Sequence, residues 1–299
     1  MKLAPALVAV VAAAAGGWRS EPPLPVARTE VAAAVSGGEI IVAGGYLADG
    51  STTARVDLYQ PIPRTWRRGP DLPAPVNHAA AASLSGRAVV VGGYGREGPT
   101  RTAVALIGSR WMRLPALPHP RAAAGAVALN GRLYVVGGVT NGGLARSMLM
   151  YVPGTGRWTK LRGPTPRQHL AAVAARGRLY AIAGRSAGYD TNVALVESWA
   201  PGEQRWRREM PLPEARGGTG AAVVSGMIVS VGSEAPEGTS AAVFALDFGS
   251  GHWSRLPDLP TPRHGLGVVA HGGAVYVIGG GPQPGLTVTG ANERFRFAP

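Results

Sequence analysis

The residues of this chain that could do chemistry recur in step with one another. Arg28, Arg121, Arg167, Arg216 and Arg263 each stand at the opening of a stretch rich in small or apolar residues, and Asn77 stands near that place in a further copy. A guanidinium presents a planar fork of donors that matches a carboxylate or a phosphate, so a ring of them could clamp an anion. The recurrence also fits bracing, in which each arginine bonds backbone carbonyls, because a single ligand rarely needs five equivalent cations. Glu30, two residues after Arg28, is the one carboxylate placed to act as a base beside such a clamp. His78, His169 and His264 fall near the same level, while Tyr46, Tyr94 and Arg185 follow glycine-rich stops. There is no cysteine, which excludes disulfides, thiolate metal sites and cysteine nucleophiles. No nucleophile motif, phosphate loop or metal-ligand spacing is present, so neither a cofactor nor a metal is expected.

These groups are carried by a repeated unit. Trp18, Trp66, Trp111, Trp158, Trp206 and Trp253 are separated by 48, 45, 47, 48 and 47 residues. Gly44, Gly92, Gly137, Gly184, Gly232 and Gly279 follow at the same intervals. Self-similarity at this period means one supersecondary unit copied six times. Each copy reads as four short strands. A tryptophan strand ends in prolines, which belong on a sheet edge. An alanine-rich strand follows, small enough to crowd around a common axis. A hairpin signal such as Asn130-Gly131 leads to a buried strand stopped by a glycine pair, and a loop leads to the last strand. Four-stranded antiparallel sheets repeated radially are a β-propeller. The fold expected is therefore all-β, with six blades over residues 16–299. The tryptophan strand at the start completes the last blade and leaves no open edge.

The segments "WMRLPALPHPR…NGRLYVVGG" (Trp111 to Gly138) and "WSRLPDLPTPR…AVYVIGG" (Trp253 to Gly280) resemble the kelch repeat, of the kind found in six-bladed secreted bacterial propellers. The glycine pair reads as Gly184-Arg185 in the fourth copy and Gly232-Ser233 in the fifth. The resemblance implies ligand binding on the face that carries the long loops, including through residues after the glycine pair, here Tyr46 and Tyr94. Strand order puts those loops together at one end of the ring and the tight turns at the other. The ligand-binding set expected on that face is Arg28, Tyr46, His78, Tyr94, Arg121, Arg167, His169, Arg185, Arg216 and Arg263. Zinc would need imidazole nitrogens about 2.0–2.1 Å from one ion. The three histidines sit in alternate blades and are expected to be too far apart. Glu234 reads as a solvated loop residue. Galactose oxidase and its relatives share a kelch-like propeller but use a cysteine-containing copper site, which this chain cannot build.

The net charge is +13, and arginine supplies nearly all of it. That favours attraction to anions, although a GC-rich genome would also enrich arginine, alanine, glycine and proline. The charge is spread around the ring and not gathered into a stripe with aromatics, which argues against nucleic acid. Lys2 followed by the apolar run Leu3–Ala15 reads as a secretory signal peptide over residues 1–15, too short for a membrane span. The expectation is a secreted or periplasmic, monomeric binding module that recognises an anionic partner, either an acidic sugar or a protein segment, without catalysis. The alternative is a sugar epimerase resembling N-acetylneuraminate epimerase, with arginines on the sugar carboxylate and Glu30 moving the proton.

Overall fold

Six antiparallel four-stranded sheets are arranged around one axis in the computed structural model, which describes residues 16–298. The leader expected over residues 1–15 lies outside the described residues. Blade one consists of Ala32–Ser36, Glu39–Ala43, Val56–Gln60 and Thr65–Arg68, from the inner strand outward. The inner strands of the remaining blades are Ala80–Leu84, Gly125–Leu129, Ala171–Ala175, Gly220–Val224 and Gly267–His271. In blade six the outer strand is Gly17–Ser20, which pairs antiparallel with Asn292–Arg296 and puts Trp18 opposite Phe295. The first strand of the described chain thus closes the ring, as the tryptophan spacing predicts.

Each feature of the repeat has a physical task. All six inner hairpins turn through two residues of positive φ, as at Asn130 (φ 50°) and Gly131 (φ 70°). This geometry matches the twist of the strands it joins. Apolar residues alternate to both faces of every sheet and form six clusters, each made by two adjacent blades. The indoles of the six repeat tryptophans donate their N–H to a backbone carbonyl of the preceding blade. Trp66 reaches Pro22, Trp111 reaches Pro70 and Trp158 reaches Pro115, each at 2.8 Å. Trp18 bonds Pro257 at 2.8 Å, so the same seam crosses the closure.

The structural register corrects the glycine ladder in one copy. Ala183, not Gly184, occupies the ladder position of the fourth blade, and its φ of 56° matches Gly44, Gly92 and Gly137 at 64–65°. The pair there is Ala183-Gly184, and the residue that follows it is Arg185. Likewise Val76, rather than Asn77, takes the arginine position of blade two. The ladder glycines are demanded by close approach as well as by φ. A Cβ on Gly92 would lie 2.2 Å from the Arg121 carbonyl of the next blade.

Candidate functional site

The residue two places after each repeat arginine builds a collar around the axis. Its six members are Glu30, His78, Ala123, His169, Gly218 and Gly265, and all have positive φ between 50° and 68°. Each accepts a hydrogen bond at its carbonyl from the next blade. His78 N–H reaches Glu30 O (3.0 Å), Ala123 reaches His78 (3.0 Å), His169 reaches Ala123 (2.9 Å), Gly218 reaches His169 (3.1 Å) and Gly265 reaches Gly218 (3.2 Å). Val31 N–H returns to Gly265 O at 3.3 Å and closes the circle. Left-handed backbone is uncommon for a glutamate or a histidine, and such strain concentrates at functional sites.

This collar overturns the expectation that the histidines are too far apart. Neighbouring members touch through their backbones, so the ring is narrow. Ala123, between His78 and His169, is too small to separate them, and the two imidazole centroids lie 5.0 Å apart. His78 Nε2 is 3.2 Å from Glu30 Oε2, and His264 Nδ1 is 3.4 Å from Glu30 Oε1. The edges of Tyr46 and Tyr94 meet the His78 ring at centroid distances of 5.9 and 5.4 Å. Glu30, His78 and His169 line a cavity of about 110 Å³ on the axis.

A buried ion pair borders this cluster. Arg185 Nη1 donates to Glu234 Oε1 at 2.8 Å, and Glu234 Oε2 accepts the Gly285 N–H at 3.0 Å. Glu234 is buried and paired, which corrects its reading as a solvated loop residue. Its other contact is His264 Nδ1 at 3.4 Å. His264 Nε2 faces the carbonyls of Gln283 (3.1 Å) and Gly285 (3.0 Å) and must donate to them. Its Nδ1 then faces two carboxylates, an arrangement that needs a proton on both nitrogens. Burial works against that charge, but the Glu30 hydrogen bond and the Glu30 and Glu234 carboxylates outweigh it and raise the His264 pKa. Burial also works to raise Glu30. His78, the His264 hydrogen bond and His169 overcome it and hold the carboxyl below the usual range. His78 is pulled down chiefly by burial, and His169 falls to about 3 for the same reason. Both rings are therefore neutral near pH 7.

The repeat arginines are elsewhere. Arg28, Arg121, Arg167, Arg216 and Arg263 are all buried within their blades. Arg167 donates to the carbonyls of Ala181 (2.9 Å) and Ala183 (2.6 Å) and pairs with Glu197. Arg263 repeats this with Val277 (2.7 Å), Gly279 (2.8 Å) and Glu293 (2.5 Å). Arg28 pairs with Asp57 at 2.9 Å. Arg216 has Glu214 at 3.2 Å and lies over the Phe244 ring at 4.7 Å. An anion ring at the channel mouth is thus replaced by bracing inside the blades. Strand-end carbonyls buried there need donors, and a guanidinium supplies several at once.

Arg121 differs. The third strand of its blade carries no acid, and Arg121 bonds only Ser147 O (2.7 Å), Ser147 Oγ (3.3 Å) and Pro120 O (3.4 Å). Burial with no carboxylate pulls its pKa down to about 10, which still leaves it charged at neutral pH. It forms part of the lining of a groove of about 730 Å³ with His119, Asn141, Arg146, Lys160 and Arg162. Among the described residues no acidic one lines this groove. Arg146, Lys160 and Arg162 are exposed and form no ion pair among the described residues.

Of the residues expected on the loop face, the structure brings Tyr46, His78, Tyr94, His169 and Arg185 together near Glu30. It adds His264 and Glu234 as central members. With the fourth-blade register corrected, Tyr46, Tyr94, Arg185 and Glu234 all share the position after the glycine pair. That shared position was the signal available in the sequence.

A ring of six four-stranded blades with polar side chains gathered at one mouth of the axis defines a six-bladed β-propeller. The KLHDC2/KLHL20/DRC7 Kelch-repeats domain matches residues 110–280, more than half of the chain, and the Kelch motif matches residues 27–73. The chain belongs to the kelch-repeat family. It is 32% identical over 117 residues to Kelch-like protein terF of Aspergillus terreus, covering 38% of this chain and 26% of that protein. It is also 32% identical over 88 residues to Kelch-like protein 25 of Xenopus tropicalis, covering 29% of this chain and 15% of the relative. The matches thus span well under half of these relatives' lengths. A solved structure titled "Structure of YjhT" superposes with a TM-score of 0.78, covering 91% of this chain and 95% of that one at 16% identity, a likeness of fold. Among the described residues no helix is long and apolar enough to cross a membrane.

Proposed function

We propose that this protein is a binding propeller that docks an anionic partner, an acidic protein segment, in the groove of its third blade, in a secreted or periplasmic setting. The observation that carries this reading is Arg121, a buried guanidinium with no carboxylate of its own in a groove that also presents Arg146, Lys160 and Arg162. A buried cation without an internal counter-charge is costly, and a carboxylate from a partner relieves that cost. The exposed cations add long-range attraction. The family supports the reading in general terms, since a kelch propeller suits a protein-binding module.

The test is fluorescence anisotropy with a labelled aspartate- and glutamate-rich peptide. Binding should weaken steeply with added salt, and Lys160→Glu with Arg162→Glu should lower affinity about tenfold or more. A uronic-acid oligomer that binds in place of the peptide would identify an acidic sugar as the carrier of the same carboxylates. Affinity untouched by the double variant would refute the groove.

A sugar epimerase acting through Glu30 draws support from that carboxylate, which is held ionised in the axial cavity. Two features weigh against it. Only one arginine, Arg185, approaches, and it is spent on Glu234. The cavity of about 110 Å³ is also small against the several hundred typical of ligand sites. A magnetic-resonance anomerisation assay on N-acetylneuraminate should show no acceleration by the protein.

A further inference from the structure

We propose that Glu30, His78 and His169 form a binding site for one divalent first-row transition-metal ion on the propeller axis. The donor atoms of the three side chains all lie within 4.8 Å of one another. Two imidazoles and a carboxylate suit zinc, iron, nickel or copper, with bonds of about 2.0–2.2 Å that place donor atoms roughly 3–4 Å apart. His78 Nε2 and Glu30 Oε2, at 3.2 Å, already meet that spacing.

The state of the two rings fits a ligand role. His169 Nδ1 is buried and has no hydrogen-bond partner, although buried ring nitrogens are normally satisfied. A metal ion bound through Nδ1 would supply the missing partner. His78 Nδ1 lies 2.6 Å from the Asn77 amide, which fixes the ring and leaves Nε2 for the axis. This is the outer-shell support that ligating histidines usually have.

A second group, Glu30, Glu234 and His264, is also close enough to be considered. It serves less well. His264 Nε2 donates to two carbonyls and its Nδ1 faces two carboxylates, so the ring carries no free lone pair. The imidazolium is better read as a positioning group that orients Glu30 from the far side. Three protein ligands leave at least one coordination position free, and that position faces the axial cavity.

The test uses the full chain, stripped with chelator, dialysed and titrated with zinc chloride by calorimetry at neutral pH. One ion should bind per chain. Glu30→Gln and His169→Gln should each lower affinity about 100-fold or more, while His252→Gln, on the exposed outer strand of blade five, should leave it unchanged. Near-ultraviolet circular dichroism of the tryptophan seams reports whether each variant is folded. Cobalt(II) gives an independent reading, because its visible bands should be lost in His78→Gln. The proposal is overturned by the absence of stoichiometric binding. It is equally overturned by an affinity that falls as much in His252→Gln, or by a cobalt spectrum that the His78 and His169 variants leave intact.

Discussion

Repeat arginines meet different partners in this propeller, and the neighbouring third strand separates Arg167 from Arg121. Arg167 has Glu197 beside it, whereas Arg121 has only carbonyls and a hydroxyl. Arg167→Ala leaves a buried carboxylate without its cation and should destabilise by about 3–5 kcal/mol. Arg121→Met removes a buried charge that lacks a counter-ion and should cost under about 2 kcal/mol, since the apolar stem is kept. Urea unfolding of the two variants measures the difference, and equal losses would remove the special standing of Arg121. Arg121→Met should also weaken the acidic peptide while Arg167→Ala, where folded, should not. The sequence made the arginine recurrence visible and with it the choice between clamp and brace. It hid the answer because the deciding acids, Asp57, Glu197 and Glu293, lie some 30 residues downstream in a strand that reads only as apolar. The axial cluster was hidden for a different reason. A shift of one residue at Ala183 put Arg185 out of line with Tyr46, Tyr94 and Glu234.

At the scale of strands and turns, blade is joined to blade by apolar packing between neighbouring sheets and by close backbone contact, and the ladder glycines permit the latter. The ladder glycines lie directly against the next blade: Gly44 faces the Val76 carbonyl and Gly92 that of Arg121. Gly92→Ala combines a positive φ with a Cβ 2.2 Å from backbone oxygen that cannot swing away. It should destabilise by about 2–4 kcal/mol. Gly86→Ala, in a hairpin with open space around it, carries only the φ penalty and should cost about 1–2 kcal/mol. Thermal unfolding of the pair separates the two contributions, and similar melting temperatures would show that the seam has room to spare. The tryptophans do the complementary work. Trp158→Phe keeps most of the ring but loses the bond to Pro115, for an expected loss of about 1–2 kcal/mol. These element-level features were legible in advance, because turn chemistry and repeat period are local properties of the chain. The collar was not. That six residues of positive φ bond in a circle follows only once the blades are docked.

For the molecule as a whole, the decisive contact is where the ring shuts, and Glu21 stands there. It follows the outer strand of blade six, yet its carboxylate accepts the Tyr59 hydroxyl at 2.6 Å and the Arg64 guanidinium at 2.7 Å, both from blade one. Arg294, on the strand that Gly17–Ser20 pairs with, adds a contact at 3.2 Å. The closing strand itself is only four residues long, so this buried knot ties it to both neighbours. Burial works to raise the Glu21 pKa, but the Tyr59 and Arg64 hydrogen bonds and the Arg294 charge outweigh it, and the folded value lies below the ordinary 4.5. Between the two values the unfolded chain binds the proton and the native one does not, so stability falls as the pH falls. The contribution of Glu21 is therefore complete above about pH 4.5 and is lost on acidification through its folded value. Glu21→Gln should be weaker than the wild type by about 1–3 kcal/mol at neutral pH. The two unfolding curves should converge in acid, where the wild-type carboxyl is also protonated. Denaturant midpoints followed from neutral pH downward measure this convergence, and curves that stay parallel would mean that the closure does not depend on the charge of Glu21.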